Sequence, residues 1–426
     1  MQTPFPPAGY VLAESAVAGI TVYKPAPDQT PHQPVVNFRC PHCDGVTAYS
    51  TDNGGLTCGY CGYHEAPTAE HVGRQAEAFE FTVAAWERSS HGWGEARKEL
   101  ECQSCSVHTT LSTEMLTHTC PFCGSNKVVQ IKAPQDILRP RFLIPFTVTT
   151  ESCRRQVADW LGSSWMVPKG LKRLGHAAEF VPIYIPFWTF DARTTADWRA
   201  EVAHTQRYTV RVNGRTQTRT RTVWRWESGN VSHFFDDLIL PGSSQLSPLL
   251  LSQIDRYDLD ELVVYDPSYL AGLQAQAYDL PLDTAWERAR RQMRAAIKQS
   301  CRRQATSNRM RNFSMTLDFS EESWRYILLP LYLAVYHYNQ APYQIMVNGQ
   351  TGQIAGQRPV DRRKVGLAMA ASLLPGLLAA LIALLLSWLR PEMHVTPFIL
   401  AAFTFFVIGI IVAGLIFYQA RKMDEI

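Results

Sequence analysis

The sequence predicts an α+β protein: two N-terminal zinc ribbons, a central domain rich in antiparallel strands, and a C-terminal two-helix transmembrane hairpin. Three observations carry that expectation. Eight of the ten cysteines fall into paired Cys-x-x-Cys knuckles. Residues 140–360 alternate aromatic-rich extended segments with a few helical ones. Two apolar runs without a charged side chain, 365–389 and 395–420, follow.

Residues 1–38 are Pro-rich and lack periodicity, which predicts a loose tail. The segment Met1-Gln2-Thr3-Pro4-Phe5-Pro6-Pro7 has no basic region ahead of an apolar core, so no cleaved signal peptide is expected. A net charge of +3 singles out no partner. Local clusters must do that.

Cys40-Pro-His-Cys43 is followed after 14 residues by Cys58-Gly-Tyr-Cys61, and Cys102-Gln-Ser-Cys105 after 14 by Cys120-Pro-Phe-Cys123. The usual gap is about 15–20 residues, but two sets sharing one shorter gap argue against accident. Each knuckle turns two thiolates toward one ion, and two knuckles complete a tetrahedral four-sulfur site. Ribbons are expected at 39–64 and 102–130, each holding one structural Zn²⁺. Iron in a rubredoxin-like centre uses the same four sulfurs, and spacing does not separate the two metals. Four protein ligands leave no open position for a catalytic water. Disulfides need an oxidising compartment, and redox Cys-x-x-Cys pairs usually come singly in a βαβ setting. Gly59, Gly62 and Gly124 are expected to give the knuckles their backbone freedom. Cys153 and Cys301 lack a knuckle and are expected to be small buried hydrophobes. Between the ribbons, Ala76, Phe79, Val83 and Trp86 recur at three- and four-residue steps, so 65–101 is expected to be a partly helical connector.

Within 140–360, Leu143-Ile144-Pro145-Phe146, Tyr184-Ile185-Pro186-Phe187 and Leu328-Leu329-Pro330-Leu331 repeat an aliphatic–Pro–apolar pattern. Proline cannot donate to a ladder, so these should be strand starts, edges or bulges, and the repetition hints at duplication. Residues 347–352 are expected to turn between strands 336–346 and 353–356.

Two basic surfaces stand out. Over 206–226, Arg207, Arg211, Arg215, Arg219, Arg221 and Arg225 interleave with Tyr208, Trp224 and Trp226 about an Asn213-Gly214 turn. Arg207, Arg211, Arg219, Arg221 and Trp224 are candidates for stacking on single-stranded nucleic acid. The plainer expectation is a solvated hairpin, with a part in assembly as its role. A helix over 284–304, capped by Asp283 or Thr284, carries the stripe Trp286, Met293, Ile297 and Cys301 beside Arg288, Arg291, Arg294, Lys298, Arg302 and Arg303. Arg288, Arg291 and Lys298 are candidates for anionic headgroups. Ordinary core contact beneath a solvated face is the alternative.

The apolar runs, 25 and 26 residues long, would span about 37–39 Å as helices, enough for a hydrocarbon core of about 30 Å. The link Arg390-Pro391-Glu392-Met393-His394 makes them a tight hairpin. Arg362, Arg363, Lys364, Arg421 and Lys422 flank it, against Arg390 alone in the link. The positive-inside rule then puts both termini and the domain in the cytoplasm, on a two-pass protein of the cell membrane. Trp388 and Tyr418 fall near opposite headgroup levels. Gly366 and Ala370 are spaced for close helix approach, a route to homo-oligomers.

No enzyme is expected: the sequence has no phosphate-binding loop, dinucleotide fingerprint, His-Glu-x-x-His or Gly-x-Ser-x-Gly. Asp236-Asp237 reads as a turn or helix cap, and His64 and His108 as ribbon decoration.

Taken together, the knuckles, His91-Gly92-Trp93-Gly94, Tyr184-Ile185-Pro186-Phe187-Trp188-Thr189-Phe190-Asp191-Ala192, Phe235-Asp236-Asp237, Tyr265-Asp266-Pro267-Ser268-Tyr269-Leu270-Ala271-Gly272 and Val347-Asn348-Gly349-Gln350-Thr351-Gly352 carry a resemblance. The chain resembles bacterial membrane-anchored double zinc-ribbon proteins, often labelled primosomal or replication-restart helicase-like. No nucleotide-binding loop here supports the helicase label. Some relatives are linked with SPFH (flotillin-like) partners and membrane stress, which implies an adaptor or scaffold recruiting protein partners. A membrane-tethered nucleic-acid binder is the alternative, and a redox sensor the third.

Overall fold

A computed structural model of the chain describes residues 10–13, 22–25, 38–80, 93, 97–112, 119–131, 138–212, 215–339, 341–389 and 396–424. In the tail, β1 (Tyr10–Ala13) pairs antiparallel with β2 (Val22–Pro25). The Pro-rich composition gave no hint of this hairpin, whose Tyr and Val residues favour strands. The first ribbon is an antiparallel sheet of β3 (Thr47–Ser50), β4 (Gly55–Cys58) and β5 (His64–Glu65).

The connector departs from its helical expectation. Ala76 follows a single 3-10 turn, and Phe79 lies in β6 (Phe79–Glu80), paired with Trp324 and Ser323. The Phe79 ring sits 5.0 Å from that of Trp324, a tertiary contact that outweighs local periodicity. Val83 and Trp86 lie outside the described residues. The second ribbon starts at Arg97, ahead of the expected 102, with β7 (Arg97–Cys102) between β8 (His108–Ser112) and β9 (Val128–Ile131).

The central sheet then takes β10 (Phe142–Leu143), β11 (Val181–Val212), β12 (Arg215–Pro241), β13 (Val263–Val264), β14 (Gln274–Ala275), β15 (Met310–Tyr338), β16 (Ala341–Asn348) and β17 (Ile354–Gly356). Strand β11 lies between β12 and β15, antiparallel to both, and the three make a long blade. Pairing of Ala275 with Thr110 joins the second ribbon to the same sheet.

Pro186 and Pro330 sit inside long strands, each where one neighbour hands over to another. Along β11 the partner changes from β14, ending at Tyr184↔Ala275, to β12, beginning at Phe187↔Pro241. Along β15 it changes from β10, ending at Leu143↔Leu328, to β16, beginning at Leu331↔Asn348. A missing N–H orphans no partner at such a gap. Each proline carbonyl accepts from a glycine N–H, Gly242 at 2.8 Å and Gly349 at 2.9 Å. This local likeness is what duplication would leave.

Segment 336–346 is not one strand. It breaks after Tyr338, with Asn339 in the left-handed region, which asparagine tolerates. The expected turn at 347–352 is present, and Asn348 Oδ1 accepts from the N–H groups of Gln350 (2.9 Å) and Thr351 (3.0 Å).

Helices α1 (Thr150–Gly162), α2 (Leu171–Ala177) and α3 (Leu282–Gln304) cover the sheet. Pro281 occupies the N-cap position of α3, so neither Asp283 nor Thr284 caps it. Its stripe is core: Trp286, Met293, Ile297 and Cys301 are buried, and the Trp286 ring lies 5.3 Å from Phe190. The blade meets it with Ala192, Ala196, Trp198, Ala200 and Val202, every second residue of β11 apart from Thr194, the alanines leaving room for the helix and Trp198 packing beside Ile297 and Cys301.

The hairpin is α4 (Arg362–Leu389) and α5 (Thr396–Asp424), each longer than its apolar run because the basic flanks are helical too. Both helices are long and apolar enough to cross a membrane, yet their most apolar windows are only 11% and 17% buried. Their contact uses small residues. A Cβ on Gly376 would come 2.7 Å from the Phe406 backbone, and Ser372 Oγ reaches the Gly409 carbonyl at 3.2 Å. The base docks on the domain: Asp361 N–H donates to Met166 O (2.8 Å) and Lys364 Nζ to Val167 O (2.7 Å).

Candidate metal centres and the surfaces around them

All four knuckles are built alike. The first cysteine's N–H donates to the carbonyl five residues on, and its carbonyl accepts from the N–H four residues on. These are Cys40 with Gly45 and Asp44, Cys58 with Tyr63 and Gly62, Cys102 with Val107 and Ser106, and Cys120 with Ser125 and Gly124. The residue after the second cysteine takes a positive φ each time: Asp44 (57°), Gly62 (75°), Ser106 (57°) and Gly124 (72°). Gly59, expected among these, is not in that region. The left-handed step lets backbone N–H groups turn toward the sulfurs.

The sulfurs converge in two separate quartets. In the first, Cys40 Sγ lies 3.4 Å from Cys61 Sγ, and Cys43 Sγ 3.5 Å from Cys58 Sγ. In the second, Cys102 and Cys123 are 3.6 Å apart, and Cys105 and Cys120 3.7 Å. Zinc–sulfur bonds of about 2.3 Å set a tetrahedral edge of about 3.8 Å, close to these values. A disulfide needs about 2 Å, and all ten cysteines are free. Both quartets are positioned to bind zinc. N–H groups of Cys61 and Tyr60 at the Cys58 sulfur lower its pKa to about 6, whereas Cys43 of the same quartet, despite the Gly45 N–H, is pushed up to about 12 by the neighbouring Cys58 and Cys61 sulfurs. Cys153 and Cys301 lie buried away from both, and burial pushes the Cys153 thiol up to about 12. His108 Nδ1 pairs with Glu99 (2.8 Å) and His64 Nδ1 lies 3.4 Å from Thr57 Oγ1; neither joins a quartet.

The centres differ in setting. Cys43 and Cys61 are exposed, whereas Cys105 and Cys123 are half-buried. The second ribbon is bound in: Gln344 Nε2 donates to Phe122 O (3.2 Å), and Gly124 packs on Val335. Buried Arg97 donates from Nη2 to Thr110 O and Leu273 O, both at 2.9 Å. The first ribbon docks on 269–272, where Tyr49 N–H reaches Ala271 O (2.7 Å) and glycine at 272 makes room for Ala48.

One constellation escaped the sequence. Asp237 is neither turn nor cap but a buried strand residue with φ 54°, beside the bulge where β11 and β12 slip between Phe190 and Ala192. The Arg325 guanidinium pairs with Asp237 and, at 3.4 Å, with Asp191, while its Nε donates to Ala76 O (2.9 Å). Asp191, Asp236 and Asp237 carboxylates converge as metal ligands would, but the arginine already supplies the cation. Desolvation by burial raises the Asp237 pKa to about 6, against the pull of Arg325. Its one advance signal is an Asp-Asp pair in an apolar strand.

The arginine hairpin runs beyond the blade. Past Val202, β11 pairs only with β12, so the ribbon projects into solvent. Arg207, Arg211, Arg219 and Arg221 are exposed, and Trp224 is half-buried under the Arg311 guanidinium at 4.5 Å. The register pairs Tyr208 with Arg219 and Gln206 with Arg221 on one face; Arg207, Arg211 and Trp224 fall on the other. The candidate set is therefore divided, and the Asn213-Gly214 turn lies outside the described residues. On α3, Arg288, Arg291 and Lys298 are exposed opposite the buried stripe, so that helix has no apolar face left for lipid.

No model of a protein family matches the chain, and no solved structure matches it. Over 334 residues it is 24% identical to the uncharacterized protein YdjG of Bacillus subtilis (strain 168), covering 78% of this chain and 92% of that one. The likeness extends over most of both proteins and assigns no activity.

Proposed function

We propose that this protein is a non-enzymatic membrane-anchored adaptor whose zinc ribbons and α+β domain recruit protein partners at the cytoplasmic face of a cell membrane. The observation that carries the reading is the hairpin. Two apolar helices leave most of their surface uncovered, yet several hydrogen bonds hold their base to a well-packed domain. Apolar surface of that extent needs lipid. Four-sulfur sites have no open coordination position, which suits a structural role for the metal. The excess of Lys and Arg at the outer helix ends supports a cytoplasmic domain. The family resemblance supports an SPFH-like partner.

The test is affinity purification from membranes in mild detergent, beside a variant lacking 362–424. Loss of membrane retention and of partner recovery together is expected. Membrane retention of the truncated variant, with the same partners recovered, would defeat the anchor. A second reading, binding of nucleic acid by the ribbon at 203–225, rests on its exposed arginines. It requires affinity that falls steeply with salt.

A further inference from the structure

The loop that follows α1, residues 163–170, is braced against the base of the hairpin. Met166 is buried against Val365 and Ala420, with Met369 and Ile416 packed beside them. Val365 opens the first apolar run and Ala420 closes the second, so this side chain marks where the hydrocarbon would begin. The loop is bonded to both helices. Met166 O accepts from Asp361 N–H at 2.8 Å, Val167 O from Lys364 Nζ at 2.7 Å, and Ser164 Oγ donates to Met423 Sδ at 3.8 Å. It is also fixed from within, Ser163 Oγ donating to Trp160 O at 2.7 Å and Met166 N–H to Ser164 Oγ at 3.3 Å.

On this braced loop Trp165 is 52% exposed. Tryptophan is on average highly buried in folded proteins, and its ring, apolar with one N–H, favours the headgroup level of a bilayer. Depth decides what meets it. Asp361 precedes Val365 by four residues, about 6 Å of helix, and a headgroup layer is about 5–8 Å thick. The Met166 carbonyl on Asp361 therefore lies in that layer, and Trp165 is the next residue along. Pro168 is buried and Lys169 exposed, two residues past the carbonyl that Lys364 holds. Arg362, Arg363 and Lys422 are exposed at the same end of the hairpin.

We infer that the 163–170 loop is a third membrane contact, Trp165 entering the headgroup layer beside the hairpin with Lys169 at the level of lipid phosphate. The inference rests on the hairpin spanning a membrane and adds that the domain itself touches the bilayer. Lipid is the occupant because the loop is bonded to the very residues at which the apolar runs start and end. A contact beside the two helices would limit how far the domain tilts on the surface.

The full-length protein carrying Trp165→p-benzoylphenylalanine, a photocrosslinking aromatic residue, is irradiated in nanodiscs of phosphatidylglycerol and phosphatidylcholine, and mass spectrometry identifies what is attached. Lipid adducts are expected, joined at glycerol or the first acyl carbons. The same substitution at Trp388, exposed near the far end of α4, reports on the anchor. Lipid at Trp388 but none at Trp165, or attachment of Trp165 to a second copy or to the domain alone, overturns the inference and leaves the anchor. No lipid at either position removes the anchor and the loop contact together. Quenching of tryptophan fluorescence by brominated lipid, read as the difference between the parent and Trp165→Phe, answers without the bulky ketone. A quenched difference signal is expected, and an unquenched one overturns the contact.

Discussion

The guanidinium of Arg358 lies 4.3 Å from the centre of the Trp160 ring. Its Nη1 donates to Trp160 O and Ser163 Oγ, both at 3.0 Å, and its backbone N–H donates to Met423 O at 3.0 Å. One residue thus ties the end of α1 to the last turn of α5. Arg358→Ala should lower stability by about 2–4 kcal/mol, combining a partly desolvated cation–π contact with two charged hydrogen bonds. Arg358→Lys should recover only part, since an ammonium cannot fork. Melting in detergent, with limited proteolysis around 357–361, measures both. An alanine variant with wild-type melting and cleavage would show that the joint is not held here.

Arg325 neutralises two buried carboxylates from strands distant in sequence. Arg325→Leu leaves Asp191 and Asp237 facing each other and should cost about 3–5 kcal/mol, while Asp237→Asn, which keeps one opposite charge, should cost less. The raised pKa of Asp237, about 6 against an ordinary 3.8, sets a sign. Between about pH 4 and pH 6 the folded chain holds a proton that the unfolded chain has released. This carboxyl therefore makes stability fall as pH rises through that window. Metal loss on acidification acts oppositely, so the quantity to measure is the difference between wild type and Asp237→Asn. That difference should change across the window, and a constant one excludes the linkage.

What was legible in the sequence was local or covalent in origin. The quartets could be read because ligand chemistry fixes cysteine spacing, and the apolar helices because a long run without a charge is itself the signal. The arginine hairpin could be read because an Asn-Gly pair between two extended runs signals one, and the two strands pair there with Tyr208 opposite Arg219. Contacts across long separations were not legible. Phe79 is extended because Trp324 lies beside it, and Asp237 is an ion-pair partner because, at a bulge in β12, its carboxylate reaches Arg325 of β15 across β11. Nor does a stripe on α3 reveal whether lipid or a face of the sheet lies opposite.

That last point is testable by two substitutions on one helix. Met293 is fully buried and Arg291 exposed. Met293→Asp should prevent stable folding, because it buries an unpaired carboxylate. Arg291→Gln should leave melting and membrane retention unchanged. Were α3 a lipid-surface helix, the arginine variant would weaken retention and the methionine variant would still fold.

At the hairpin, the close approach of Gly376 to the Phe406 backbone predicts that Gly376→Leu forces α4 and α5 apart. Gly376→Leu should therefore lower the melting temperature in detergent, whereas Gly414→Leu, where an added Cβ meets nothing within 4 Å, should leave it unchanged. Equal melting of the two variants would mean that the helices pack by another face.

The two metal centres should part under chelation. Cys43 and Cys61 are exposed at the first quartet, so a chelator can displace its ligands one at a time. At the second, Cys105 and Cys123 are half-buried, and Phe122 and Gly124 are packed on β15 and β16. Zinc release followed with a colorimetric chelator should therefore be biphasic. Cys43→Ser should remove the fast phase and Cys105→Ser the slow one, native mass spectrometry counting one ion fewer in each. The consequences should differ as well. Ribbon two shares a sheet with the domain through Thr110 and Ala275, so emptying it should lower the melting temperature of the whole protein. Ribbon one docks through loop contacts such as Tyr49 to Ala271, so emptying it should loosen the ribbon alone, seen as hydrogen exchange confined to 38–65. A single release rate, or equal loss of melting temperature from both variants, would show that the centres are energetically alike despite their different burial.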